Sequence, residues 1–341
     1  MAELWFAIVA LMFVAYVVFD GFDLGAGVLH LQLGRTEAER GRILDAIGPV
    51  WDGNEVWLIA VGGALFAVFP RVLGAGLSGL YLPIFMVLWS LILRGIGIEL
   101  RGQLESPLWR RFWDVVFAGA SLLLAVLFGA ALGNLLRGVP LGADGYFEEP
   151  LFTNFSAHAP VGILDWYTVA VAVFAVLALA AHGAVFLAWK TSDDELAERA
   201  RTYGLRLWPA VAVGWPALTF ASTYVNSKLT AAWSSRPLVW LAFAVAAAGI
   251  GGAVFGLLRR RMPLAFVGSA AFLTGALGGV AASAFPVFLP ALGDPALSLT
   301  VANSAASAHS LNVAFGWWLV GTPLVIGYFV IIYRAHRRKA A

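Results

Sequence analysis

An all-α membrane protein of nine transmembrane helices is what this chain predicts, and three observations carry the prediction. Of its 341 residues 61% are hydrophobic and 12% charged, with a mean hydropathy of +0.84; that is too little charge to coat a water-soluble globule of this size. Apolar runs of spanning length, roughly 17 to 25 residues, recur from one end to the other. The basic residues collect in alternate connections between those runs.

The runs lie near residues 4–31, 54–70, 73–99, 111–136, 163–189, 204–225, 237–258, 263–286 and 310–333. Only Met1-Ala2-Glu3 precedes the first, with no basic segment, so that run reads as a retained helix and not a cleaved leader. The second is short, stopped by Pro70 and led into by an apolar stretch from Ile43 to Val50.

Charge orients the bundle. Arg35, Arg40 and Arg42, then Arg94, Arg101, Arg110 and Arg111, then Lys190, Arg199, Arg201 and Arg206, then Arg259, Arg260 and Arg261, and finally Arg334, Arg337, Arg338 and Lys339 fall on one side, 18 of the 22 basic residues. Arg71, Arg137, Lys228 and Arg236 fall on the other. The positive-inside rule then puts the N-terminus outside, in the periplasm, and the C-terminus in the cytoplasm, which requires an odd number of spans.

A weak repeat relates the exits of spans one and five. Gly27-Val28-Leu29 running into Thr36-Glu37-Ala38-Glu39-Arg40 resembles Gly183-Ala184-Val185-Phe186 running into Asp194-Glu195-Leu196-Ala197-Glu198-Arg199. The unit is four helices, so both copies keep one orientation. The expected organisation is a first four-helix bundle over 1–140, a periplasmic loop over 141–162, a second four-helix bundle over 163–288, and a ninth helix with a basic tail over 289–341. The loop, with Asp144, Glu148 and Glu149, reads as an ordinary solvated connection. Trp5, Trp109, Trp113, Trp166, Trp208, Trp233 and Trp240 fall near span ends, where indoles face headgroups.

The absence of cysteine excludes disulfides, thiolate-held iron–sulfur clusters and c-type haem attachment. The net charge of +2 and the sequence pI near 9.0 follow from loop topology, not from a nucleic-acid footprint. No phosphate-binding loop or metalloprotease motif is present.

Asp20 and Asp23 are three apart, neighbours on one helix face, in the first apolar run. Counting back from Arg35 at about 1.5 Å per residue puts them roughly 22 Å and 18 Å along the axis from that charge, within the hydrocarbon region. One such carboxylate costs about 2.5 to 3.5 kcal/mol near mid-membrane, so a pair points to a group that holds or passes a proton; the plainer alternative is that they satisfy a glycine-loosened backbone or neutralise Arg94. In Trp51-Asp52-Gly53-Asn54-Glu55-Val56-Trp57, Asp52 followed by Glu55 is a capping-box pattern, and a cap sunk beneath an apolar lead-in also suits a proton route. Arg94, inside the cytoplasmic exit of span three with Glu99 and Arg101 nearer the surface, either snorkels or pairs with Asp23, Asp52 or a partner's anionic group such as a haem propionate. Of the five histidines, only His30 and His182 lie within spans. Their depths differ by roughly 9 Å, poor geometry for holding one iron between two helices.

Together, Asp20-Gly21-Phe22-Asp23-Leu24-Gly25, Gly34-Arg35 with Glu39-Arg40, Trp51-Asp52-Gly53-Asn54-Glu55-Val56-Trp57-Leu58, Gly62-Gly63-Ala64-Leu65-Phe66-Ala67, Leu93-Arg94 to Glu99-Leu100-Arg101, and Gly133-Asn134-Leu135-Leu136-Arg137-Gly138-Val139-Pro140 resemble subunit II of the cytochrome bd quinol oxidases. The likeness is dense over the first 140 residues and diffuse beyond. It implies two four-helix units and one peripheral helix in the bacterial cytoplasmic membrane, paired pseudosymmetrically with a homologous subunit I that carries the haems b and d and the quinol-oxidising loop. This chain would itself ligate no cofactor or metal. Members of the family oxidise quinol at the outer face and reduce dioxygen to water with cytoplasmic protons, separating charge without pumping. On that resemblance Asp52 belongs to the cytoplasmic proton path with Trp51 and Glu99 in support, Asp23 is next, Asp20 weaker, and Arg94 holds the subunit interface or a propionate. Glu99 stands where some members have Asp. Some members carry a structural quinone in subunit II, and a small single-span third subunit is compatible with the family. The competing classes are a proton-coupled secondary transporter and a self-sufficient b-type cytochrome.

Overall fold

The computed structural model of the chain describes residues 1–336. Arg337, Arg338 and Lys339 of the basic tail lie outside the described residues. The architecture is all-helical apart from one two-stranded ribbon. Helix α1 (Ala2–Leu33) is followed by a short surface helix α2 (Glu37–Ile47), which starts at a capping box between Thr36 and Glu39. Next come α3 (Trp51–Val68) and α4 (Pro70–Gly79), then α5 (Tyr81–Leu100) and α6 (Pro107–Arg137). Helix α7 (Trp166–Lys190) is capped by Asp165, and α8 (Asp194–Val225) by Asp193. A short α9 (Ser227–Ser235) leads to α10 (Pro237–Leu258) and α11 (Met262–Ala284). Strands β1 (Val287–Leu289) and β2 (Leu299–Thr300) pair antiparallel before α12 (Val301–Ser304) and the terminal α13 (Ala308–Ala335).

Seven of the described helices are long and apolar enough to cross a membrane, and eight if α3 and α4 count as one broken span. Those two helices meet at a 120° bend, because Pro70 has no N–H to continue the ladder and opens α4 as its first residue. The run expected over 73–99 is therefore divided: α4 ends at Gly79 and the long helix begins at Tyr81. The run at 204–225 lies within α8, whose Trp, Pro, Ser and Thr residues keep it outside the seven.

Close helix approach is set by glycine. A Cβ at Gly25 of α1 would lie 1.9 Å from the Leu179 carbonyl oxygen of α7, and one at Gly183 would lie 2.4 Å from the Gly25 carbonyl carbon, so the two backbones touch. Gly249 and Gly268 do the same for α10 and α11. Around the first crossing Phe22, Phe186, Leu187 and Phe117 are buried.

At the end of the bundle that carries Met1, here the N-terminal face, the segments 138–165 and 286–307 fold over the helices. Val139 N–H donates to the Pro290 carbonyl and Ala306 N–H to the Val68 carbonyl. Residues 141–162 form a loop in which Asp144 and Glu148 are exposed, but it is anchored on the bundle: Phe147, Ala157 and Val161 are buried, and the Phe147 ring occupies the space a side chain at Gly79 would need. Two tryptophans also depart from the anchoring role. Trp208 is fully buried between α8 and its neighbours, and Trp5 is buried with its indole N–H on the Leu311 carbonyl. The opposite face carries α2 and the arginine-rich connections.

Candidate functional site: a carboxyl-rich cluster around Arg94

Four helices bring polar side chains together inside the apolar bundle. Asp20 and Asp23 come from α1, Asn54 and Glu55 from the first turn of α3, Arg94 from α5 and Tyr333 from the end of α13. Asp20, Asp23, Asn54 and Arg94 are all buried. Arg94 Nη2 donates to Glu55 Oε2 at 2.7 Å, and Nη1 stands 2.7 Å from Asp20 Oδ1. Asp23 Oδ2 accepts from Asn54 Nδ2 at 2.8 Å, and Asn54 Oδ1 accepts from the Tyr333 hydroxyl at 3.1 Å. Tyr16 precedes Asp20 by one turn and its hydroxyl faces that carboxylate. Asp23 Oδ1 and Arg94 Nε are buried without a hydrogen-bond partner among the described residues.

Three carboxyls thus surround one guanidinium. A buried cluster with that count approaches neutrality only by holding protons, because an uncompensated buried charge is costly. The cluster also reaches the surface. The Glu55 side chain is 20% exposed, and Asp52, three residues before it and exposed, is near enough for their charges to interact. Asp52, Glu55, Arg94, Asp20 and Asp23 form a graded series from surface to interior.

The sequence-predicted residues divide accordingly. Asp23 and Arg94 enter the cluster, but Arg94 pairs with Asp20 and Glu55, not with Asp23 or Asp52, and it is fully buried, so it does not snorkel. Asp52 is no helix cap: Val50 holds the N-cap position of α3 with no side-chain cap bond, and Glu55, the other half of the supposed box, is committed to Arg94. Trp51 is half-buried, its ring 3.2 Å from where a Cβ at Gly95 of α5 would lie. Glu99 is exposed further along α5, outside the cluster. Sequence reasoning missed Glu55, Asn54 and Tyr333. The signal for Glu55 was present, a third acid facing the same apolar run, but its spacing from Asp52 suited a cap.

Two further ion clusters hold opposite ends. Near the α2 face, Asp114 accepts from His30 Nε2 at 2.7 Å, Arg40 Nε at 2.7 Å and Arg101 Nε at 2.5 Å. Near the N-terminal face, buried Arg137 donates to Asp165, to Glu149 Oε1 at 2.7 Å, to Asn134 Oδ1 at 2.7 Å and to the Gly162 and Gly138 carbonyls. Burial pushes the Glu149 carboxyl up to about 7 and Asp165 adds to the rise, although Arg137 opposes it. His182 is committed through both ring nitrogens, Nδ1 to Ser269 Oγ at 2.7 Å and Nε2 to the Val18 carbonyl at 3.0 Å. His30 is held on Asp114 through Nε2 alone, and its Nδ1 is buried without a hydrogen-bond partner among the described residues. An apolar cavity of about 170 Å³ lies between α1, α6, α7, α8 and α11, lined by Phe13, Tyr16, Phe128, Tyr167, Trp215 and Phe272 among others.

Comparisons with known proteins bear on the family and the fold of the chain. The family model described as cytochrome bd terminal oxidase subunit II matches residues 1–336. The chain is 32% identical to the cytochrome bd ubiquinol oxidase subunit 2 of Bacillus subtilis, over 99% of this chain and 96% of the relative. It is 31% identical to the cytochrome bd-I ubiquinol oxidase subunit 2 of Escherichia coli K12, over 97% and 92% respectively. In fold it resembles a chain from the structure of bd oxidase from Geobacillus thermodenitrificans, with a TM-score of 0.74, 18% identity and 98% of both chains covered. This multi-pass membrane protein belongs to the cytochrome bd terminal oxidase subunit II family.

Proposed function

We propose that the chain is subunit II of a cytochrome bd-type quinol:dioxygen oxidoreductase, a scaffold for the haem-bearing subunit I that also conducts cytoplasmic protons toward the site of dioxygen reduction. Haems b and d and the quinol-oxidising site belong to the partner; of the two intraspan histidines of this chain, His182 is bonded through both ring nitrogens. The N-terminal face is periplasmic and the α2 face, with most of the arginines, cytoplasmic. The spans form two four-helix units plus α13. The complex is electrogenic through the direction of proton uptake and does not pump. The apolar cavity suits the hydrocarbon part of a structural quinone.

The observation that carries the proton role is the series from exposed Asp52 through partly exposed Glu55 to buried Asp20 and Asp23. Each group takes or releases a proton, and Arg94 stabilises the deprotonated member next to it. Trp51 packs beside the entry and Glu99 adds a second acid on the neighbouring helix. Arg94, enclosed by carboxyls and fully buried, holds α1, α3 and α5 together and reaches no propionate directly. The test is to purify the complex with its partner and measure quinol-driven oxygen uptake. Asp52→Asn is expected to slow turnover about tenfold, roughly 1.4 kcal/mol on the barrier, with haem content and spectrum unchanged. Full turnover in both Asp52→Asn and Glu55→Gln would remove the proton role and leave a scaffold.

A further inference from the structure

The N-terminal face is poor in cations, with Arg71, Arg137, Lys228 and Arg236 on it. Arg137 is enclosed by Asp165 and Glu149, and Arg71 donates to the Asn303 carbonyl. The other two, Lys228 and Arg236, line one cavity of about 380 Å³ between the α8–α9–α10 connection and segment 283–300. Neither forms an ion pair with a carboxylate among the described residues, and no acidic residue lines the cavity. Asn226, Ser235, Ser298 and Thr300 supply hydroxyl and amide groups to its wall.

Helix α10, which begins directly after Arg236, carries an exposed apolar face. Leu238 and Leu241 on α10, one turn apart and 63% and 61% exposed, start an uncovered stripe that continues to Val245. The indoles of Trp233 and Trp240 pack edge to face beside it, at the level where tryptophans mark the membrane interface. Arg236 is fixed from behind: Nη1 donates to the Ala282 carbonyl at 2.9 Å and to the Phe285 carbonyl, and the guanidinium lies over the Phe285 ring. A held guanidinium, an exposed ammonium and a nearby apolar stripe are the components of a headgroup site, since one charge is pre-oriented, the other is open to a ligand, and acyl chains have a surface to follow.

We propose that this cavity binds a phosphate oxyanion, that of an anionic membrane phospholipid, between Lys228 and Arg236, with its acyl chains along the Leu238, Leu241 and Val245 face of α10. The contact fills the seam between the α8–α10 half and the 283–300 segment, so the lipid acts as a structural ligand at the N-terminal face. The site is independent of the proton series and its test reads binding alone.

The test is native mass spectrometry of the assembled, haem-bearing complex with phosphatidylglycerol or phosphatidylcholine added, in wild type, Lys228→Gln and Lys228→Glu. Wild type should retain phosphatidylglycerol preferentially, and Lys228→Gln should weaken that retention about fivefold, as one cation near a headgroup is worth about that factor. Lys228→Glu should abolish the preference while the haem spectrum stays that of wild type. Displacement of phosphatidylglycerol by inorganic phosphate would support the phosphate site and make the free anion its occupant. Equal retention of both lipids, or a preference that survives Lys228→Glu, would overturn the proposal.

Discussion

Arg94 and Arg137 are each buried and each contact two carboxyls, yet one cluster is open and the other closed. Every nitrogen of the Arg137 guanidinium donates to a protein acceptor, two carbonyls among them, and Asp165 is further fixed by capping α7. Arg94 leaves Nε unmet, a third carboxyl stands nearby with Asp23 Oδ1 unmet, and Glu55 leads to the surface. The saturated guanidinium of Arg137 holds one geometry, although Glu149 Oε2 beside it is buried without a partner among the described residues, whereas the Arg94 guanidinium is left with room for a further partner. The same residue types therefore hold a clamp at one end of the bundle and, at its middle, the relay proposed above.

The strongest way to break this comparison is Arg137→Ala. It strands Asp165 and Glu149 in a buried site, and loss of one partner from such a cluster costs about 3 to 5 kcal/mol; the expected result is a lower melting temperature and poor recovery of the complex. If stability is unchanged, the cluster at the N-terminal face is not a clamp.

Glu149 sharpens the same point through pH. Its carboxyl stands near 7 in the fold against about 4.3 when free, so the folded state binds the extra proton between those values. The stabilisation is complete below about pH 4 and is lost as pH rises through 7, roughly 3 to 4 kcal/mol in all at about 1.36 kcal/mol per pH unit. Hydrogen exchange of residues 141–162, corrected for its intrinsic pH dependence, should accelerate from pH 5 to pH 8. Glu149→Gln should flatten that dependence.

The relay side is probed by Asp23→Asn, which keeps the hydrogen bond to Asn54 feasible while removing a titratable site. Turnover should fall about tenfold, near 1.4 kcal/mol, with stability little changed. A mutant that unfolds instead, with normal specific activity in the surviving fraction, would make the Arg94 cluster a clamp like the other.

Much of the fold was legible because hydropathy is summed over long windows: α1, α6, α7, α10 and α11 fall where apolar runs demanded them. The α3–α4 bend was half visible in Pro70. The anchoring of segment 141–162 through Glu149 was not, because Glu148 and Glu149 look like any surface acids until Arg137, twelve residues before Glu149, turns that one inward. In the site, Asp20, Asp23, Asp52 and Arg94 stood out as charges in apolar sequence, whereas Glu55 was absorbed into a capping pattern and Tyr333, far along the chain, had no local mark at all.

The amino-acid sequence by itself determined that the chain is a helical membrane protein of this family and that several carboxyls are carried into its apolar interior, since composition and local periodicity are properties of the chain alone. Tertiary structure decided that Arg94 meets Asp20 and Glu55, that Asn54 and Tyr333 hold Asp23, and that Lys228 and Arg236 share a cavity. Those pairings depend on the depth and rotation of helices distant in sequence, and both are set by packing such as the Gly25 to Gly183 contact, which no single helix specifies.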